Sequence, residues 1–226
     1  MMFFRKEDND TSKLEKCLAD YRIKKSSITM HQILGIFPKI PLFYTSLKPE
    51  IGPDNFPYVN LRLRAKNEQQ ITLKEIADKA LDKGFGVTIN KSWNRTDWVF
   101  SLGDFISLSR AGFLVSHDGN TGFQSKVIEE DTKVQVGNPN EDVIPIVVRK
   151  HLRIFMQTTL RIAEPKFYIM FNPKDIPPWT VMFNISRKDF RSDSEYQYTL
   201  GILIWFFPKT VFVGSIENDT SQFFEI

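Results

Sequence analysis

Residues 90–104, NKSWNRTDWVFSLGD, contain the densest group of side chains in the chain that could bind a ligand. Two of the four tryptophans, Trp93 and Trp98, stand five residues apart, with Arg95 and Asp97 between them. A flat ligand could stack on the indole rings while the charged groups bind its polar edges. One hypothesis is therefore a small-molecule site or enzyme site formed by Trp93, Arg95, Asp97 and His117.

The same segment also fits a simple passage from a strand into a helix. Trp98 and Phe100 fall on one face of a predicted strand, and Ser101 and Asp104 have the spacing of a helix cap. Gly112 is placed to end the short helix. This interpretation explains the segment without a ligand, leaving only the first tryptophan in a polar loop, and we favour it.

Other chemistries lack the residues they need. His31, His117 and His151 stand apart, with no second histidine or cysteine at ligand spacing, whereas a structural zinc site takes about four such groups. Cys17 lies on the apolar face of a predicted helix, whereas a nucleophilic cysteine must be exposed. Gly84 follows a helix and precedes a strand, whereas a nucleotide-binding loop follows a strand and precedes a helix. We predict no catalytic residue, no metal and no cofactor, and hence a protein that is not an enzyme.

Four basic side chains could contact phosphate groups. They are Arg62 and Arg64 on a predicted strand, 58–66, and Lys150 and Arg153 on a predicted helix, 143–162. A nucleic-acid-binding protein is therefore one alternative. However, the strand's polar face carries no aromatic platform for bases, and the whole chain has a net charge of only +3. We favour solvation of these side chains, or pairing with acidic residues elsewhere.

Composition bounds the class of protein. The chain has 226 residues and one cysteine, which excludes an internal disulfide and predicts a reducing compartment. No segment has the length and apolar character of a signal peptide or a membrane span. We therefore expect a cytoplasmic protein without a membrane partner.

The elements that must position these residues follow from hydrophobic periodicity. The first half predicts, in order, a helix at 12–24, strands at 40–45 and 58–66, a helix from Thr72 to Gly84 and a strand at 85–90. The second half predicts a helix at 143–162, strands at 166–172 and 179–186, a helix after Ser192 and a strand at 210–216. We predict an α+β (α/β) fold of two similar α-β-β-α-β halves, with mixed sheets and helices on one face.

The predicted helices and strands also imply domain boundaries. The N-terminal half covers 1–116 and the C-terminal half 143–226. A β-hairpin connector at 117–142 joins them, because Asp118-Gly119 is a hairpin turn signal between apolar runs.

The last predicted helix has a second apolar stripe, formed by Tyr198, Ile202 and Trp205. A helix on the surface of a small α/β domain is normally polar on its outer side. The stripe therefore predicts contact with a partner protein or with a second copy of the chain. The function we favour is a non-enzymatic protein that acts in regulation through protein–protein contacts.

The segments VQVGNPNEDVIPIVVRKHLRIFM and EPKFYIMFNPKDIPPWTVMFNIS combine a proline-containing helix entry, an LxxF motif at Leu152 and Phe155, and two apolar strands. This pattern resembles the C-terminal domain of the bacterial enhanced-serine-sensitivity protein family, over about the last third of the chain. The resemblance implies an α/β fold and a bacterial cytosolic protein. That family has no established catalytic residues that could be assigned to this chain.

Overall fold

The structure is a computed structural model that describes residues 3–115, 134–141, 143–176, 178–215 and 223–226, with side chains from residue 9 onward. The chain divides into two compact units, Met1–Gly119 and Asn120–Ile226. Both units combine helices with mixed sheets, so the predicted α+β class is confirmed.

The described residues of the first unit form four α-helices and six strands. The helices are α1 (Phe3–Ile23), α2 (Ser27–Ile36), α3 (Leu73–Lys83) and α4 (Leu102–Ala111). The strands are β1 (Leu42–Tyr44), β2 (Glu50–Ile51), β3 (Pro57–Leu61), β4 (Gln69–Ile71), β5 (Gly86–Ile89) and β6 (Trp98–Phe100).

The main sheet of the first unit has the strand order β2-β3-β5-β6. Strands β3 and β5 run parallel, with Val59 opposite Val87, and α3 connects them; the other two pairs are antiparallel. Strands β1 and β4 form a separate antiparallel pair. Fully buried phenylalanines fill the core, where Phe37 and Phe100 meet edge to face at 4.8 Å between ring centroids.

Local sequence explains how these helices begin and end. Thr72 and Glu75 form a capping box at the start of α3, and Gly84 ends that helix in the left-handed conformation, with φ of 73°. Helix α2 is not among the elements that hydrophobic periodicity predicts, although it ends just before Pro38. Pro38 lies in the 3₁₀ turn Phe37–Lys39 that follows α2, where it leaves the preceding helix intact.

In the second unit, the part of the chain that the structure describes forms two α-helices and five strands. The helices are α5 (Ile146–Thr158) and α6 (Asp193–Leu203), and α6 continues into a 3₁₀ turn at Ile204–Phe206. The strands are β7 (Gln135–Gly137), β8 (Lys166–Phe171), β9 (Trp179–Phe183), β10 (Val211–Ser215) and β11 (Phe224–Glu225).

Its sheet has the order β10-β9-β8-β11, and β7 also pairs with β8. Strands β9 and β10 are parallel and connected by α6, whereas the remaining pairs are antiparallel. The helix predicted at 143–162 is shorter, because it ends at Thr158 and Arg161 then adopts φ of 62°. Phe155 of α5 packs on Phe206 in the core.

The predicted organisation into halves meets the structure only in part. Each unit has a strand–helix–strand segment with parallel strands, but the similarity of the complete halves stays a prediction. Most of the predicted connector, including Asp118-Gly119, lies outside the described residues. The described strand β7 belongs to the sheet of the second unit, where Val136 lies opposite Met170.

Candidate functional site

The turn between β5 and β6, residues 90–97, presents one tryptophan to solvent, and we call it the Trp93 turn. Ser92 and Arg95 form an antiparallel bridge, with the Ser92 amide donating to the Arg95 carbonyl oxygen at 2.7 Å. Trp93 and Asn94 form the tip of this bridge. The Trp93 side chain is fully exposed, with a relative accessibility of 102%. A side chain this exposed does not line a cavity.

Asp97 holds the base of the Trp93 turn. Its Oδ1 accepts hydrogen bonds from Arg22 Nη2 at 2.9 Å and from Arg95 Nε at 2.8 Å, and its Oδ2 accepts one from Asn90 Nδ2 at 3.0 Å. Asn90 in turn accepts the amide of Leu63 through Oδ1 at 3.1 Å. The turn is therefore tied to helix α1 and to the chain that leaves β3.

The charge state of Asp97 follows from these contacts. Burial alone would raise the pKa of its carboxyl group. The hydrogen bonds from Arg95 and Asn90, together with the positive charges of Arg95 and Arg22, outweigh burial and lower the pKa below its ordinary value. Asp97 is consequently an ionised structural group, and its oxygens are already occupied.

Trp98 has the opposite environment from Trp93. It is half-buried and packs against Tyr21 and Phe37, with ring centroids 5.7 and 6.1 Å away. Ser101 and Asp104 form a complete capping box at the start of α4, and Gly112 ends that helix with φ of 74°. The structure therefore agrees with the favoured interpretation of this segment, in which a strand leads directly into a helix.

The predicted small-molecule site therefore does not assemble from its described members. Arg95 and Asp97 bind each other, and Trp93 points into solvent. His117 lies outside the described residues.

A different group of residues lines a cavity of about 400 Å³ in the first unit, which we call the charged groove. Its lining side chains are Thr45, Ser46, Lys48, Pro49, Glu50, Asn60, Arg62 and Glu68. The antiparallel pairing of β1 with β4 places Tyr44 opposite Gln69, and this register brings Thr45 beside Glu68. Asn60 lies in β3, and Arg62 directly follows the last residue of that strand.

The electrostatics of the charged groove centre on Glu68. Its Oε1 accepts from Arg62 Nη1 at 2.7 Å and from Thr45 Oγ1 at 3.1 Å. Its Oε2 is buried and has no hydrogen-bond donor among the described residues. Glu50, which also lines the groove, pairs with Lys91 Nζ at 3.1 Å.

Sequence reasoning did not find this groove. The sequence pattern indicates Arg62 as a possible contact for phosphate, not as the partner of a glutamate. Thr45 and Glu68 are 23 residues apart, and only strand pairing brings them together.

The predicted phosphate contacts mostly have acidic neighbours. Arg62 pairs with Glu68, and Arg64 Nε donates to Glu15 Oε1 of α1 at 2.8 Å. Arg153 Nη2 lies 3.8 Å from Glu225 Oε2, in a second, smaller polar cleft of about 260 Å³. Lys150 is exposed on α5. Their role as phosphate contacts stays a prediction.

The predicted partner stripe on the last helix needs a correction. Ile202 is only 4% exposed, so it is not available at the surface. Trp205 is half-buried, within the 3₁₀ turn that follows α6, and Tyr198 is 51% exposed. The change of helix type at Ile204 rotates the following side chains, so the three residues do not form one exposed stripe.

The remaining candidates have structural surroundings. Cys17 is buried, and its thiol lies 3.6 Å from Gln32 Oε1. His31 Nδ1 lies 2.8 Å from the carbonyl oxygen of Ser27, one turn earlier in α2. In the described part of the chain, no three His, Cys, Asp or Glu side chains are grouped so that they could hold a metal ion.

The helices described here include none with both the length and the apolar character that a bilayer span requires. Comparison of the chain with protein-family models, with curated proteins and with solved structures found no match.

Proposed function

We propose that this protein acts by binding another protein, without catalysis, and that Trp93 is the residue that anchors the contact. The observation that carries the proposal is a fully exposed tryptophan at the tip of a turn whose base is held by Asp97. The proposal keeps the bacterial cytosol as the location, on the resemblance to the enhanced-serine-sensitivity family and the single cysteine.

An exposed tryptophan on an ordered turn supports protein binding for two reasons. Tryptophan is strongly enriched among residues that dominate the binding energy of interfaces, because its large flat ring fills an apolar pocket of the partner. A turn that is already held in place loses little conformational entropy on binding. Both conditions are met at Trp93.

The surroundings of Trp93 indicate the chemistry of the partner. Arg22 and Arg95 bind Asp97, yet their side chains remain 45% and 53% exposed. Their free guanidinium edges lie at the base of the same turn. A partner surface with an apolar pocket and acidic groups at its rim would satisfy both the indole ring and the arginines.

The nucleic-acid alternative has less support. Arg62, Arg64 and Arg153 each lie beside a glutamate carboxylate, which offsets the charge that phosphate binding would use. Binding through these residues would weaken steeply as the salt concentration rises.

A photo-crosslinking experiment tests the proposal. A benzophenone amino acid is placed at position 93 of the full chain, and the protein is irradiated in extract of the source cells. As a control, the same group replaces Lys74, an exposed residue of α3. We expect a discrete adduct from position 93 and none from position 74.

Competition decides whether the adduct reports a contact made by the indole ring. Unlabelled wild-type protein should suppress the adduct, whereas unlabelled Trp93→Ala protein should need a concentration at least about tenfold higher. An adduct of twice the chain mass identifies the partner as a second copy. If no adduct forms, or if both competitors are equally effective, the proposal is wrong.

A further inference from the structure

We propose that the charged groove binds a small zwitterion, a molecule that carries both an ammonium group and a carboxylate group. The inference is independent of the contact proposed at Trp93, because none of the residues of that turn line the groove. It rests on three properties of the lining: an unsatisfied acceptor, unsatisfied donors and a mixture of charges.

The unsatisfied acceptor is Glu68 Oε2. This oxygen is buried and receives no hydrogen bond from any described residue, while Oε1 of the same carboxylate receives two. A buried carboxylate oxygen without a donor is strongly unfavourable. A positively charged N–H donor satisfies it best, because the hydrogen bond is then assisted by charge. Because this oxygen is inaccessible to solvent, an ammonium group that enters beside Thr45 reaches it only when the carboxylate rotates toward the groove.

Two donors of the lining have no partner among the described residues, the Lys48 ammonium and Asn60 Nδ2. The Lys48 ammonium has no acidic partner among the described residues, and its backbone amide donates to Ser46 Oγ at 3.1 Å, which fixes the start of the side chain. Asn60 Oδ1 accepts from the Lys91 amide at 3.0 Å, so its Nδ2 is left as a donor toward the groove. Together these groups suit a carboxylate.

The mixture of charges selects against ligands of a single sign. A simple anion would meet the carboxylates of Glu50 and Glu68 and would leave Glu68 Oε2 without a donor. A simple cation would meet the side chains of Lys48 and Arg62. Only a ligand with both signs places each group opposite its complement. A cavity of about 400 Å³ is large enough for such a molecule.

Binding is tested on the full chain by titration calorimetry and by the amide NMR shifts of residues 45–50 and 60–68. The zwitterionic probes are glycine, β-alanine and 4-aminobutyrate, which increase the separation of the two charges. The single-charge probes are acetate and methylammonium. Each is titrated to about 10 mM, where binding in the millimolar range is measurable.

Three variants connect binding to the groove. We expect Lys48→Met and Glu68→Gln each to weaken the best zwitterion about tenfold or more, because each removes one charged hydrogen bond. Lys74→Met, on the exposed face of α3, should bind like the wild type. Lys48 is exposed, so its variant tests the site even if Glu68→Gln impairs folding.

Several results would overturn the inference. One is the absence of binding by all three zwitterions, which would leave water as the donor to Glu68. Another is binding of acetate or methylammonium with the same affinity as the zwitterions. The third is an affinity for the zwitterion that the Lys48→Met substitution does not change. None of these results bears on the crosslink at Trp93, so the two proposals fail separately.

Discussion

Replacing Asp97 by alanine should release the Trp93 turn from the rest of the first unit. The carboxylate is the common acceptor for Arg22, Arg95 and Asn90, and its side chain is only 9% exposed. The contact with Arg22 crosses 75 residues of sequence and ties helix α1 to the turn. The variant removes all three hydrogen bonds at once.

The expected loss follows from the exposure of each partner. Both arginines are about half exposed, so solvent screening limits each ion pair to about 0.5 kcal/mol. The hydrogen bond from the Asn90 amide is less exposed and contributes about 1 kcal/mol. The sum is about 2 kcal/mol, which corresponds to a decrease of about 1 M in the urea midpoint for a unit of this size.

Urea unfolding at pH 7 measures this difference, with Asp78→Ala as the control. Asp78 is exposed on α3, so its replacement should change stability by less than about 0.5 kcal/mol. The dependence on pH provides a second test. The pKa of Asp97 is lowered in the folded protein, so its contribution is present above the unfolded-state pKa of about 3.9 and is lost as pH falls through the folded-state pKa.

The gap between wild type and Asp97→Ala should therefore be constant from neutral pH down to about 5 and should narrow at pH values below about 4. A loss no larger than that of Asp78→Ala would refute the role given to Asp97. A gap that stays unchanged down to the lowest accessible pH would show that the ionised carboxylate is not what stabilises the turn.

Three further substitutions test packing and helix capping. Gly86→Ala should destabilise the protein by about 1–3 kcal/mol in urea unfolding, because the added Cβ would lie 2.7 Å from the Tyr58 ring and 2.9 Å from the Phe100 carbonyl oxygen. Gly201→Ala in α6 should stabilise by up to about 1 kcal/mol, since an added Cβ would meet no atom within 4 Å apart from the local backbone of its own helix; equal effects at the two glycines would contradict this reasoning. Ser101→Ala should cost about 1 kcal/mol by removing the cap of α4, and a loss of amide protection confined to that helix in hydrogen exchange would confirm the cause.

Much of the local structure could be predicted from the sequence. Thr72 with Glu75, and Ser101 with Asp104, are capping signals whose two members are three residues apart, and both form complete boxes. The alternation of apolar and polar residues over 58–66 predicted a strand, of which the structure contains the first part as β3, Pro57–Leu61. Such signals are readable because the interacting groups are close in sequence and the backbone geometry of one turn or strand decides the outcome.

The limits of prediction appear where one element meets another. The spacing of Tyr198, Ile202 and Trp205 places all three on one predicted apolar stripe, yet Ile202 is buried. Which residues of a helix are buried depends on the elements that cover it. Helix α2 is absent from the predicted elements, yet it forms, because Pro38 lies in the 3₁₀ turn after the helix and does not interrupt it.

The sequence by itself determined the α+β class, most strands, the helix caps and the polar loop that carries Trp93. Only the tertiary structure decided that Asp97 is occupied by an arginine from α1 and that Glu68 lies beside Thr45 with one oxygen unsatisfied. The physical reason is that a charged side chain can find its partner anywhere along the chain. Strand register and the packing of helices select that partner, and the residues nearby in sequence do not indicate either of them.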